Sequence, residues 1–153
     1  MKLQKSTLLA LYSVLEFAAD PDRQITAAEI AGKYGVSTHH LSKVLRDLGR
    51  AGLLESVRGV GGGYRFSGNT KRVTLMDVIE LFEDISGRAM NDAGTHGGNE
   101  AALASVLGEI DDTAKATFRS ITLDTMLMLA RRAARSPAAA PALRRPVDDN
   151  LPT

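Results

Sequence analysis

Arg58 stands at the head of the run Arg58-Gly59-Val60-Gly61-Gly62-Gly63-Tyr64-Arg65-Phe66, a turn almost without side chains that carries a cation on each flank. A guanidinium placed there can come close to a polyanion, because glycine admits positive φ angles and leaves no Cβ in the way. Leu53, Val57, Tyr64 and Phe66 are strand formers on either side of the turn, so the segment reads as a hairpin of the kind that forms the wing of a DNA-binding domain. Four glycines could also cradle a nucleotide phosphate. A Walker loop, however, requires Gly-Lys-Ser/Thr opening a helix, and a dinucleotide loop opens one too, whereas here a Tyr-Arg-Phe strand follows.

A second group of hydrogen-bonding side chains precedes the wing: Ser37, Thr38, His39, His40, Ser42 and Lys43, with Arg46 one helical turn further on. These types donate to phosphates or to base edges. The alternative is a solvated helix face on a plain three-helix scaffold. Metal chemistry is poorly served, since His39 and His40 are neighbours that point about 100° apart on a helix and cannot chelate one ion together. His96, with Asp92 or Glu100, is the remaining candidate, and only if a dimer brings two copies near each other; the preferred assignment is no metal and a solvent-exposed His96. The chain has no cysteine, which removes disulfides, zinc fingers, thiolate-bound clusters and cysteine nucleophiles. No nucleophile-base pair is visible, and the adjacent Asp111 and Asp112 read as surface charges, so an enzyme is not expected and no cofactor is assigned.

The elements that must position these groups follow from periodicity. Leu8, Leu11, Tyr12, Leu15 and Ala18 form a helical stripe in a segment from Leu3 to Ala19. Thr26-Ala27-Ala28-Glu29 has capping-box spacing and opens a short helix to about Tyr34. Gly35 supplies a turn, and Ser37 caps a third helix from Thr38 to about Ala51, with Leu41, Val44, Leu45 and Leu48 inward. Two short helices joined by a tight turn, the second leading into the wing, make a helix-turn-helix. Beyond the wing, Thr74-Leu75-Met76-Asp77 opens another helix, and a small, polar loop occupies residues 85–99.

A long helix then places Leu103, Leu107, Ile110, Ala114, Thr117 and Ile121 alternately four and three apart, the seam of a coiled coil. Its partner is either the same helix of a second subunit or, within one chain, the first helix. Thr122 caps a last helix to about Arg132, with Leu123, Met126, Leu127 and Ala130 packing back; the proline-rich stretch from 135 reads as a disordered tail.

Charge divides along the same lines. Residues 1–72 carry 11 Lys+Arg against 6 Asp+Glu, and residues 73–134 carry 5 against 10, although the whole chain of 153 residues is near neutral at +1. The basic half meets a polyanion; the acidic half does something else. No apolar run is long enough to span a membrane and no export signal opens the sequence, so a cytoplasmic location is expected.

Specific strings carry a family resemblance: Met1-Lys2-Leu3 opening into a helix, Ile30-Ala31, Val36-Ser37, Leu48-Gly49-Arg50-Ala51-Gly52-Leu53-Leu54, Ser56 through Tyr64, and Val73-Thr74-Leu75-Met76-Asp77-Val78-Ile79. The chain resembles the IscR/NsrR/CymR family of bacterial transcription regulators, closely over about residues 1–84 and more loosely to Leu123. The resemblance implies a homodimer joined through the long helix, a roughly palindromic operator, and readers at Ser37, Thr38, His39, His40, Ser42 and Lys43 and at Arg58 with Gly61, Gly62, Gly63 and Tyr64. Many members bind an iron-sulfur cluster through three cysteines in the loop before the long helix, some with an acidic ligand at the position of Leu8. Neither kind of ligand is present here, so that sensing chemistry does not transfer.

The expected fold is therefore mainly α with a two-stranded wing: a winged helix-turn-helix at 1–84, the loop at 85–99, dimerisation and packing helices at 100–134, and the tail at 135–153. The expected function is a homodimeric regulator, a repressor, answering to a small molecule or a protein partner. A protein-interaction module with vestigial DNA binding is the alternative.

Overall fold

Ala10, Val14 and Phe17 turn the first helix, α1 (Lys5–Ala19), into the core, together with the fully buried Thr7 and Ser13. This corrects the expected stripe: Leu8 is 38% and Tyr12 48% exposed, while Leu11 and Leu15 are only partly covered. The helix is apolar on most of its circumference, and packing selects the face that carries Leu9, Val14 and Phe17 with the small Ala10 and Ala18 between them. Both polar groups on the buried face are satisfied, Ser13 by donating to the Leu9 carbonyl (2.7 Å) and Thr7 by donating to Glu83 (2.5 Å).

The computed structural model describes residues 2–84 and 97–136. After α1 come α2 (Ala27–Tyr34), α3 (Thr38–Arg50), β1 (Leu54–Val57), β2 (Gly63–Phe66), α4 (Leu75–Ile79), α5 (Gly98–Ser120) and α6 (Leu123–Arg135). Both capping boxes form as their spacing predicts: Thr26 with Glu29 at the start of α2, and Thr74 with Asp77 at the start of α4. Gly35, at φ 63°, ends α2 in the left-handed region that other residues resist. Leu41, Val44, Leu45 and Leu48 of α3 are all buried, and α3 packs on α1, α2 and β1. Leu123 and Leu127 of α6 close the core over α1, whereas Ala130 is exposed.

The C-terminal helices are stitched to the winged part by backbone. The Leu75 amide donates to the Ile121 carbonyl and the Leu123 amide to the Val73 carbonyl, each at 2.9 Å, around an antiparallel bridge between Thr74 and Thr122. Ile121 is extended at φ −102°, ψ 112° and packs against the core, so it has left the helix and does not continue the expected seam. No residue of α5 is buried; Leu103, Val106, Leu107 and Ile110 are exposed. The expected loop at 85–99 and tail at 135–153 fall largely outside the described residues, which resume at Gly97 and end at Ser136, and Asp92 and His96 lie outside them.

Candidate nucleic-acid interface

Burial of one face of α3 determines which of its side chains are offered outward. At about 100° per residue, His39, Lys43 and Arg46 fall on one stripe opposite Leu41, Val44, Leu45 and Leu48, with Ser42 at its edge, whereas Thr38 lies on the Leu45 side and is open only because it begins the helix. Thr38, His39, Lys43 and Arg46 are exposed and Ser42 is half-buried. His40 is exposed but lies at the edge of that stripe, beside Asp47. Ser37 precedes the helix as its N-cap, its Oγ accepting from the His40 amide at 3.1 Å. The cap sets where α3 begins, and hence which residues lead. Arg50, not among the expected readers, extends the stripe by one turn; it is exposed and only 4.0 Å from Asp47 across a solvated pair.

The wing follows directly. Strands β1 and β2 pair antiparallel with Leu54 opposite Phe66, Glu55 opposite Arg65, Ser56 opposite Tyr64 and Val57 opposite Gly63. Leu54 and Phe66 are buried and anchor the hairpin, β1 packing on α3 and β2 on α1. Arg65 forms a two-pronged ion pair with Glu55, its Nε at 2.7 Å, so its charge is largely neutralised at home. Arg58 has no such neighbour among the described residues and projects from the exposed turn. Val60, at the tip, is wholly exposed. Sequence reasoning passed over it, although a large apolar residue inside a glycine turn was a signal.

The glycines divide by role. Gly59 and Gly61 hold φ of 125° and 77°, which a side chain would strain. Gly62 and Gly63 are glycine for lack of room: a Cβ on Gly62 would sit 2.9 Å from the Val57 carbonyl oxygen, and one on Gly63 would sit 2.5 Å from that of Ile25. The second contact exists because the segment before α2 pairs with the wing. Ile25 and Tyr64 exchange both amide-carbonyl hydrogen bonds at 2.9 Å. Tyr64, one of the expected readers, is thus a strand residue half-covered by the core. A single bridged residue has no alternation to betray it, and sequence reasoning missed it.

An exposed polar stripe on the second helix of a helix-turn-helix, followed at once by a hairpin with one unpaired arginine, is the arrangement of a winged-helix DNA reader. A family model described as Rrf2, iron-dependent transcriptional regulator, matches residues 3–128. The chain belongs to the Rrf2 family. It is 56% identical over 128 residues, 83% of this chain and 81% of the other, to BadM of Rhodopseudomonas palustris, named as a candidate HTH-type transcriptional regulator. It is 42% identical over 84 residues to protein aau3 of Rhizobium meliloti, spanning 54% of that protein. Among solved structures, CymR of B. subtilis, the global cysteine regulator of that organism, superposes with a TM-score of 0.69 at 24% identity, over 84% of this chain and 98% of the other. IscR of T. potens superposes with a TM-score of 0.65 at 24% identity, over 87% and 90%.

The Rrf2 assignment makes this chain a transcription regulator of the DNA-binding winged-helix type rather than an enzyme. The iron in the family description meets a donor set that does not suit a thiolate-held cluster, because the chain has no cysteine. Among the described residues no three His, Asp or Glu side chains gather as a metal site. No described helix is long and apolar enough to cross a membrane.

Proposed function

We propose that this Rrf2 protein is a homodimeric, sequence-specific repressor in which α3 reads the major groove and the Arg58 wing the adjacent minor groove. The observation that carries the reading is the exposed start of α3 at Thr38 and the exposed stripe His39, Lys43 and Arg46, leading into a wing whose one unpaired cation among the described residues is Arg58. Lys43 and Arg46 suit phosphates, and an arginine on a narrow hairpin suits a narrow minor groove. Ser37, Thr38, His39, His40, Ser42, Lys43, Arg46, Arg58 and the Gly61–Tyr64 strand edge are the proposed contact set, with Val60 and Arg50 added.

Dimerisation is supported by α5, which offers Leu103, Val106, Leu107 and Ile110 at i, i+3, i+4 and i+7 without covering any of them. Ala114 and Thr117 continue that edge; Ile121 is withdrawn from it. The proposed signal is a small molecule or a protein partner. Electrophoretic mobility and footprinting on DNA upstream of the protein's own gene test the reading: a palindromic footprint with wild type and its loss with Arg58→Ala are expected. Binding indifferent to both Arg58 and α3 overturns it.

A further inference from the structure

A turn made of Gly59, Gly61 and Gly62 loses more chain entropy on ordering than any other composition, so something outside it must hold it if it is to present Arg58 in one direction. Within the turn there is a single bond, from the Gly62 amide to the Gly59 carbonyl at 3.0 Å. Beyond the strand ladder at its base, the hold comes from Gln24 and Ile25, just before the Thr26 cap of α2. Ile25 grips the base of the wing through its paired backbone bonds with Tyr64. Gln24 reaches the tip: its Nε2 donates to the Gly61 carbonyl at 2.5 Å, across 37 residues of sequence.

We infer that Gln24 is a positioning residue for DNA recognition, a side-chain strut that fixes the pitch of the wing and thereby the aim of Arg58. Gly61 is the residue three before Tyr64, so one dipeptide clamps the hairpin at two levels, main chain below and side chain above. A single pivot at Ile25 would leave the tip free to rock; two points remove that freedom. The strut also holds the Gly61 carbonyl on a donor, and an acceptor occupied in that way is not turned toward DNA phosphates, which are acceptors themselves. Gln24 is partly covered and lies outside the hydrophobic core, so its replacement leaves the fold intact. This inference rests on the DNA-reading wing and adds a residue outside both the helix-turn-helix and the hairpin.

The test is a double-mutant cycle on operator affinity with Gln24→Met, which keeps length and neutrality while removing the donor, and Arg58→Ala. Each single variant is expected to bind the operator roughly tenfold more weakly, the size of one lost specific contact, while non-specific binding changes little for Gln24→Met. The double variant should fall no more than about twofold below Arg58→Ala alone, because a strut has nothing left to aim. Hydrogen exchange at the Gly59, Gly61, Gly62 and Gly63 amides should quicken in Gln24→Met and be restored in Gln24→Lys, which keeps a donor of similar reach. Wild-type affinity in Gln24→Met beside weak binding in Arg58→Ala defeats the strut but leaves the DNA reading standing. Wild-type affinity in both defeats the reading of DNA by the Arg58 wing, and the strut with it. Fully additive losses show Gln24 touching DNA on its own account and overturn the positioning role.

Discussion

Glu83 illustrates how much one carboxylate can organise. It accepts from the Gln4 amide at 2.7 Å, from the Gln4 side chain at 3.3 Å and from the buried Thr7 hydroxyl, and so caps the start of α1, which has no side-chain cap of its own. Partial burial pushes its carboxyl up, but the bonds from Thr7 and Gln4 outweigh it and leave the group below its ordinary value of 4.5. A depressed carboxylate contributes stability that is complete above the unfolded value and is lost as pH falls through the folded one. Glu83→Gln should therefore lower thermal stability by about 1 kcal/mol at pH 7, with the gap to wild type closing as pH drops below 4.5, measured by melting curves across pH. A gap independent of pH contradicts the cap. Gly63→Ala makes a different demand: a methyl 2.5 Å from the Ile25 oxygen must break the bridge, costing roughly 1–3 kcal/mol and loosening the wing. A crystal structure of that variant with the Ile25–Tyr64 bonds intact would contradict it.

Among elements, those whose local signals agree were readable in advance. The capping boxes of α2 and α4, the Gly35 turn and the 3.6-residue burial of α3 each follow from short-range chemistry, and each formed within a residue or so of its expected limits. The face of α1 was not readable, because apolar residues run round most of its circumference, Leu8, Leu11 and Leu15 competing with Leu9, Val14 and Phe17, and only tertiary packing selects between them. Tyr12 instead stacks on Tyr34, ring centroids 5.2 Å apart. Tyr34 donates to Glu16 at 2.6 Å; burial first, and then that bond, raises the phenol above its ordinary value. The tie between Ile25 and Tyr64 was also hidden, along with the Gln24 strut, since a single long-range pair leaves no pattern. Of the proposed DNA face, the polar stripe and Arg58 were legible as residue types; the pairing of Arg65 with Glu55 was not, because register decides it. Truncating the α2 cap, Thr26→Ala, should cost about 1 kcal/mol in denaturant unfolding, and an unchanged midpoint would mean that the box contributes nothing.

At the scale of the whole molecule, the basic N-terminal half and the acidic remainder match the two proposed jobs, gripping DNA and holding two copies together. Backbone bonds between 73–75 and 121–123 join the halves. Ile110→Glu places a charge in the exposed apolar edge of α5, and sedimentation should find a monomer where wild type is a dimer. Monomeric wild type would contradict the proposed assembly. The central claim is that the α3 stripe and the Arg58 wing read DNA together. Its most direct measurement is the salt dependence of affinity for a selected operator and for a scrambled duplex, in wild type, Lys43→Ala and Arg58→Ala. Expected are a steep salt slope with a preference for the operator of at least about a thousandfold, a slope shallower by about one in Lys43→Ala, and a reduced preference in Arg58→Ala. Equal affinity for both duplexes in all three proteins would contradict it.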